Sequence, residues 1–338
     1  MFRNKFVAMV VPAHNESRHI AKVIESTPRF VDMLMVVDDG SSDATSDVVR
    51  SIRDPRVTLL RHNQNRGVGA AIVTGYRCAL ERGADLIGVM GGDGQMDTAQ
   101  LPALLEPVIN RRCDFTKGNR FFSWRSWRGM PLERAIGNII LSVLTKAASG
   151  YWHVFDAQNG YTMISAAMLR RLPLERLETG YQFENRLLIL LNASGARVCD
   201  VRIPARYGDE ESGIKLWRDV PAILWTLLTG FWMRIRHKYL HHGLSLPGIL
   251  FLSSMLLVGF GGAMAISGWF ADVPSWVPPT AAFCVALSGG LLGFFIVTDV
   301  INSRKLRPRS ESEGELPEVM TAPQGATMST YRTTVSRP

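Results

Sequence analysis

Three short apolar runs in the first part of the chain each stop at side chains suited to holding a nucleotide or a hard cation. The most informative is Val89-Met90-Gly91-Gly92-Asp93-Gly94-Gln95-Met96-Asp97, where the stretch Leu86 to Met90 gives way to glycines, a carboxylate, a carboxamide and a second carboxylate. A strand end offering only oxygen donors suits Mg²⁺ or Mn²⁺. Such an ion usually accompanies a phosphate-bearing substrate. Upstream, Phe6 to Val11 ends at Pro12-Ala13-His14-Asn15-Glu16-Ser17, and Leu34 to Val37 ends at Asp38-Asp39-Gly40-Ser41-Ser42-Asp43. Helix-start signals follow each: Ser17 before Ile20 to Ile24, and Ser41 or Ser42 before Ala44 to Val49. Ser41 and Asp43 read as helix caps, and Asp97 reads either as a further oxygen ligand for the cation or as a cap for the helix from Thr98.

The elements that must position these groups are strands of four to six residues alternating with helical segments. That pattern implies β-α-β units and a mostly parallel sheet, in which ligands sit outside the carboxyl ends of the strands. The three polar loops should therefore share one crevice, a nucleotide-plus-metal site. Phe115 to Phe121 delivers Lys117 and Arg120 to the same edge. Leu132 to Ser149 reads as a helix and leads to Asp156-Ala157-Gln158-Asn159-Gly160-Tyr161. Tyr181-Gln182-Phe183-Glu184 precedes the amphipathic helix Asn185 to Ala193. The strand Val198 to Pro204 runs into Arg206-Tyr207-Gly208 and Ser212-Gly213-Ile214-Lys215. Gly67-Val68-Gly69-Ala70-Ala71 imitates a dinucleotide fingerprint, but its acid, Asp85, stands before the next strand rather than at its end. The glycines read instead as a turn into a helix from Ala70 to Arg82.

The 338 residues carry a formal net charge of +8, with basic residues gathered near two apolar spans rather than in a nucleic-acid footprint. Anionic lipid headgroups are the expected partner of that charge. Four scattered cysteines, Cys78, Cys113, Cys199 and Cys284, exclude a disulfide framework or a zinc-finger spacing and fit a reducing compartment. No signal peptide is visible, because the first apolar run is broken by Pro12 and His14. Leu244 to Phe270 and Pro279 to Thr298 are long enough to span a bilayer. Arg234 to Lys238 and Arg304 to Arg307 flank the pair, and the intervening loop has no Lys or Arg, so both ends are expected in the cytoplasm. Gly289 and Gly293 form a small-xxx-small pair, suited either to packing within the hairpin or to a homo-oligomer. Trp217 to His242 reads as one or two interfacial helices, and the Ser/Glu/Pro/Thr-rich end as a disordered tail.

The Pro12 to Glu16, Asp38 to Asp43 and Asp93 to Gln95 motifs, in this order, resemble the inverting family 2 glycosyltransferases of GT-A fold. The nearer likeness is to the branch of dolichol- and undecaprenyl-phosphate sugar synthases with two C-terminal membrane helices. The resemblance runs from about Phe6 to Lys215. It implies an α/β fold, a GT-A Rossmann-like and mostly parallel sheet flanked by helices, over residues 1–215. Juxtamembrane helices would follow over 216–243, a two-helix transmembrane hairpin over 244–302 and a cytoplasmic tail over 303–338. By carry-over, Pro12, Ala13 and Glu16 line the base and ribose, Asp38 or Asp39 hydrogen-bonds the base, and Asp93 joins the nucleotide side. Asp93 and Gln95 become metal ligands for Mg²⁺ or Mn²⁺. Gly91 departs from the family pattern, which has Asp there. Arg120 meets phosphate, Glu184 touches the donor sugar, and Arg206 and Lys215 hold the acceptor phosphate. Asp156 is the implied catalytic carboxylate, with Arg120 and Lys215 beside it.

The implied activity is transfer of one sugar from a UDP- or GDP-sugar to polyprenyl phosphate on the cytoplasmic leaflet. A glycan hydroxyl is the alternative acceptor, for which Asp156 would serve as base. A silent nucleotide-sugar-binding membrane subunit is the alternative of another class, supported by Gly91. The Gln-x-x-Arg-Trp element of chain-extending synthases is not present.

Overall fold

The computed structural model describes residues 1–120, 132–204, 216–241, 243, 245–268, 270 and 273–310. Its centre is a seven-stranded sheet in the order β3-β2-β1-β4-β6-β5-β7. The strands are β1 (Val7–Ala13), β2 (Met33–Asp38), β3 (Val57–Arg61), β4 (Leu86–Val89), β5 (Phe115–Asn119), β6 (Thr162–Ser165) and β7 (Val198–Arg202). β1 pairs in parallel with β2 and β4, β2 with β3, and β5 with β7. β6 alone is reversed, antiparallel to both β4 and β5. The expected mostly parallel sheet is therefore present. β3 and β6 were not expected as strands: β3 is only partly buried at its residues Val57 to Leu60, so its apolar signal is short and diluted by charge.

Helices cover both faces: α1 (Ile20–Ser26), α2 (Thr45–Ser51), α3 (Val68–Glu81), α4 (Leu101–Ile109), α5 (Leu132–Ser149), α6 (Ala166–Leu169) and α7 (Phe183–Ala193). Along β1, Val7, Met9 and Val11 join a core with Ile20, Ile24, Leu101 and Leu105, while Ala8 and Val10 join a core with Ile72, Tyr76, Phe183 and Leu187. A strand buried on both faces reads as an unbroken apolar run, which is why β1 and β2 were plain in the sequence.

Beyond the sheet, α8 (Leu216–Ile235) continues into a π-helical turn, Arg236–Leu240, as one element. Val220, Leu224, Trp225, Leu228 and Trp232 on it are exposed, a stripe at helical spacing. α5, packed against α8, exposes a second group: Ile139, Ile140, Val143 and Leu144. α9 (Leu246–Ser267) and α10 (Val277–Ser303) are long and apolar enough to cross a membrane. They pack through a reciprocal serine clasp: the Ser254 hydroxyl donates to Ser288 O and the Ser288 hydroxyl to Ser254 O, each at 3.0 Å. Gly261 faces α10, where an added Cβ would lie 3.0 Å from Ala281 O. Nothing within 4 Å would meet a Cβ on Gly289 or Gly293, so that pair does not hold the hairpin together.

Candidate functional site

The single reversed strand determines which segments meet. The chain leaves β1, β2, β4, β5 and β7 at one edge of the sheet and enters β6 at that same edge. A cleft there is lined by Asp93, Gln95, Asp97, Arg120, Gln158, Gly160 and Pro204, among others. The Asp93–Gln95 loop and Arg120 share this cleft, as expected, together with Gln158 and Gly160; residues of the loops after β1 and β2, expected in the same crevice, are not among those lining it.

The loops after β1 and β2 are laced together. Asn15 N donates to Ser41 Oγ at 2.9 Å, Glu16 N to Thr45 Oγ1 at 2.8 Å, and Ser17 N to Asp43 at 3.1 Å. Asn15 Oδ1 accepts from Ser42 N at 2.9 Å, and Asn15 takes a left-handed φ of 60° to do so. Ser41 and Asp43 thus bind one loop to the other, which revises their reading as simple caps; the residue at the helix boundary is Ala44. Burial pushes the Asp43 carboxyl up, but hydrogen bonds from Ser17 and Thr45 outweigh it and hold it well below the ordinary range.

Asp38 and Asp39 are both buried and engaged inside the protein. Asp38 accepts from Ser41 N at 2.8 Å and from the Ser46 hydroxyl, with Arg61 at 3.6 Å. Burial raises its carboxyl, and these partners bring it below the ordinary range. Asp39 accepts from Arg66 N at 2.9 Å and Gly67 N at 2.7 Å, and meets His62 Nδ1 at 2.6 Å. These carboxylates build the shape of the loops after β2 and β3; His62 and Arg66 were missed because only the fold brings them to Asp39.

Gly92 N donates to Pro12 O at 3.1 Å, which sets the Asp93 loop against Pro12 and Ala13. Asp93 Oδ1 accepts from Gln95 N at 3.0 Å. A Cβ on Gly91 would stand 3.0 Å from that same oxygen, so the Asp93 carboxylate folds over the position left open at 91. Asp97 caps the following 3₁₀ turn by accepting from Ala99 N, one of the two roles open to it in the sequence. Among the described residues no three His, Cys, Asp or Glu side chains cluster as a metal site. A cation here would take oxygens from Asp93 and Gln95 and complete its shell from phosphate and water. That donor set fits Mg²⁺ or Mn²⁺.

Arg120 and Asp156 form one unit. Asp156 is wholly buried and accepts from Arg120 Nε at 2.8 Å, Nη2 at 3.1 Å and backbone N at 3.1 Å. This forked pairing fixes the guanidinium plane. Behind it Lys117, also buried, donates to Asn159 O. Burial pulls the Lys117 ammonium down, opposed by Glu184 and Asp156; burial pushes the Glu184 carboxyl up, opposed by Lys117. Glu184 lies beside the cleft, 3.6 Å from where a Cβ on Gly160 would be.

Asp200, unnoticed in the sequence, accepts from Asn119 Nδ2 at 2.6 Å and from Phe155 N at 3.4 Å. It thereby ties the residue before Arg120 to the residue before Asp156. Burial pushes its carboxyl up to about 6 against the pull of Asn119 and Phe155 N. Arg206 and Lys215 lie outside the described residues.

The family model for glycosyl transferase family 2 matches residues 8–173. An undecaprenyl-phosphate mannosyltransferase of Micrococcus luteus is 31% identical over 219 residues, covering 61% of this chain and 85% of that one. The chain belongs to glycosyltransferase family 2. A UDP-N-acetylglucosamine–dolichyl-phosphate N-acetylglucosaminyltransferase of Methanococcus voltae is 28% identical over 219 residues, 60% of this chain and 87% of its own length. The fold is that of glucosyl-3-phosphoglycerate synthase from Mycobacterium tuberculosis, solved with UDP, at a TM-score of 0.54 and 21% identity over 68% of this chain and 81% of that one. In the same enzyme solved with Mn²⁺, UDP and product, the TM-score is 0.52. The family 2 glycosyltransferase described here therefore joins a GT-A sheet to two apolar C-terminal helices.

Proposed function

We propose that this family 2 enzyme transfers one sugar, with inversion, from a UDP- or GDP-sugar to a polyprenyl phosphate at the cytoplasmic leaflet. The observation that carries the reading is the Arg120–Asp156 unit, whose arginine lines one cleft together with Asp93 and Gln95. The named relatives that use dolichyl or undecaprenyl phosphate support the acceptor, and the exposed apolar stripes of α5 and α8 beside two spanning helices support a place at the bilayer.

The burial of Asp156 favours a phosphate over a hydroxyl acceptor. A hydroxyl must lose a proton during attack and gains from a base within reach. A phosphate monoester, with its second pKa near ~6, is already largely dianionic at neutral pH. Asp156 is turned away into Arg120, a setting for a positioning group. The acceptor phosphate attacks the anomeric carbon, the bond to the donor diphosphate breaks, and the electron pair leaves with the nucleoside diphosphate. Arg120, which lines the cleft, stabilises the charge growing on that leaving group, and Glu184 takes a hydroxyl of the donor sugar. Arg206 and Lys215 follow β7 in the chain and are assigned to the acceptor phosphate. Asp93 and Gln95 would hold Mg²⁺ or Mn²⁺, which supplies positive charge against the diphosphate.

The test is incubation of the purified full chain with Mn²⁺ or Mg²⁺, undecaprenyl phosphate and a panel of UDP- and GDP-sugars, read by mass spectrometry. A sugar-phospholipid that disappears with EDTA and in Asp93→Ala is expected. Donor binding or slow donor hydrolysis with no sugar lipid refutes the acceptor assignment and directs attention to glycan hydroxyls. Failure of every donor to bind refutes the nucleotide site.

A further inference from the structure

Asp299 is an acid within the second membrane-spanning helix, 2% exposed and near the end of α10. Ionisable groups in such helices are costly and mark a function by default. Its partner is Arg234, at the end of α8 and wholly buried: Nη1 donates to Oδ1 at 2.8 Å and Nη2 to Oδ2 at 3.1 Å. The Tyr239 hydroxyl adds a bond to Oδ1 at 2.6 Å, and Lys238 Nζ stands 3.9 Å away.

The same guanidinium also reaches the catalytic domain. Arg234 Nε donates to Ala148 O and Nη2 to Ala147 O, both at 2.9 Å. These carbonyls belong to the last turn of α5, where a helix leaves its acceptors without internal partners and where a cation is favoured by the dipole. Gly150 ends the helix with φ of 77°, and a Cβ on it would lie 2.7 Å from Arg234 Nη1. A residue without a side chain therefore both turns the chain and leaves the guanidinium its place. One side chain thus joins α5, α8 and α10. The segment just past that joint carries Asp156, which fixes Arg120.

We propose, on the reading of function given above, that Arg234 and Asp299 are positioning residues for delivery of the lipid acceptor. A lipid phosphate is confined to the depth of the headgroups, so a site anchored in the same bilayer must sit at a matching height and tilt. The joint couples the end of α5 to the membrane hairpin and so sets that height for the Asp156–Arg120 unit. A misplacement of about 1 Å costs on the order of a hundredfold in rate. A short, water-soluble prenyl phosphate enters from solution and does not need the match. The nucleotide-side loops share no residue with the joint.

The test uses the full chain in lipid nanodiscs, with undecaprenyl phosphate and a water-soluble short-chain prenyl phosphate as acceptors. Two variants are compared: Asp299→Asn, and Arg234→Met together with Asp299→Leu. The second replaces the buried pair by apolar side chains, an exchange that is often neutral or stabilising, so folding is retained if the first variant loses it. For both, kcat/KM for undecaprenyl phosphate is expected to fall tenfold to about a hundredfold. KM for the donor and kcat/KM for the short acceptor are expected to stay within about twofold of the unaltered chain. An equal fall with both acceptors, or full lipid activity in the apolar double variant, overturns the inference and leaves the pair a purely structural one. If the unaltered chain forms no sugar lipid, the reading of function falls and this inference with it.

Discussion

Replacing Asp156 by Asn tests whether the carboxylate acts through Arg120 or by itself. Asp156 makes three bonds to Arg120, two from the guanidinium and one from the backbone N–H. Asn retains an acceptor oxygen but turns an NH₂ toward a donor and leaves the arginine charge uncompensated. Breaking a fully buried pair costs about 3–5 kcal/mol. The Arg120 side chain is 31% exposed, so water recovers part of that, and about 2–3 kcal/mol of stability is expected to be lost. For a domain of this size, this lowers Tm by roughly 5–10 °C.

In the kinetics, misalignment of the guanidinium should lower kcat/KM about a hundredfold, or about 2.7 kcal/mol at 1.36 kcal/mol per tenfold. Arg120→Lys, which keeps the charge but loses the fork, should cost a similar amount. Because the two act as a unit, the double variant is expected to be about a hundredfold down as well, not the ~10⁴-fold that independent sites would give. The assay is steady-state sugar transfer to undecaprenyl phosphate at saturating donor, with Tm measured on the same preparations. Additive losses in the double variant refute the positioning argument, and so does an inactive Asp156→Asn beside a fully active Arg120→Lys.

Gly91→Asp should bring a second carboxylate beside Asp93 Oδ1 and tighten Mn²⁺ binding by about tenfold, read by metal titration with nucleoside diphosphate present; unchanged or weaker affinity refutes the assignment of this loop to the cation. The Asp200 carboxyl titrates at about 6 in the folded chain, above its unfolded value, so the folded state holds the extra proton and stability falls as pH rises from about 4 to about 6. Asp200→Asn should remove that loss, worth on the order of 2–3 kcal/mol at most, and raise Tm at pH 7.5 more than at pH 4.5; an equal change at both values contradicts it. If α9 and α10 span the bilayer as proposed, Ser254→Ala with Ser288→Ala should loosen the α9–α10 pair by only about 1 kcal/mol, since hydrogen bonds between membrane helices average about 0.6 kcal/mol. Thermal unfolding in nanodiscs measures it, and a loss of activity without a change in Tm argues against a purely structural clasp.

In the first half of the fold β1, β2 and β4 were legible because they are buried on both faces and stop at polar loops, whereas the half-buried β3 was not. β6 was not, since Thr162 to Ser165 is a four-residue strand paired on both sides by chain distant in sequence. Within the candidate site, Asp93, Gln95 and Arg120 stood out by residue type at strand ends, and Asp156 and Glu184 through the family resemblance. What they do to one another did not: that Asp156 spends its oxygens on Arg120, and that Asp39 is filled by His62, Arg66 and Gly67, are facts of three-dimensional packing. Asp200 and Arg234 gave no local signal, one being a polar residue in a short strand and the other a member of a basic cluster. Asp299 did give one. Hydropathy closes the second span at Thr298, one residue short of it, and an acid at the edge of a span reads as flanking loop unless its partner is known.

The sheet divides at one seam. β3, β2, β1 and β4 are drawn from residues before Leu101, and β5, β6 and β7 from residues after it. Within the sheet the two groups meet along the antiparallel pairing of β4 with β6 alone. On the proposed reading, the nucleoside is held by the first group, while the lipid, the sugar contact of Glu184 and the diphosphate contact of Arg120 belong to the second. Such a layout lets two specificities change separately over evolutionary time, because a new nucleotide preference can be acquired upstream while everything fitted to the sugar and the bilayer is inherited intact. It also marks the short stretch between β4 and α4 as the place to splice halves from two related enzymes, with the front half setting which nucleotide carries the sugar and the back half which sugar and lipid are joined.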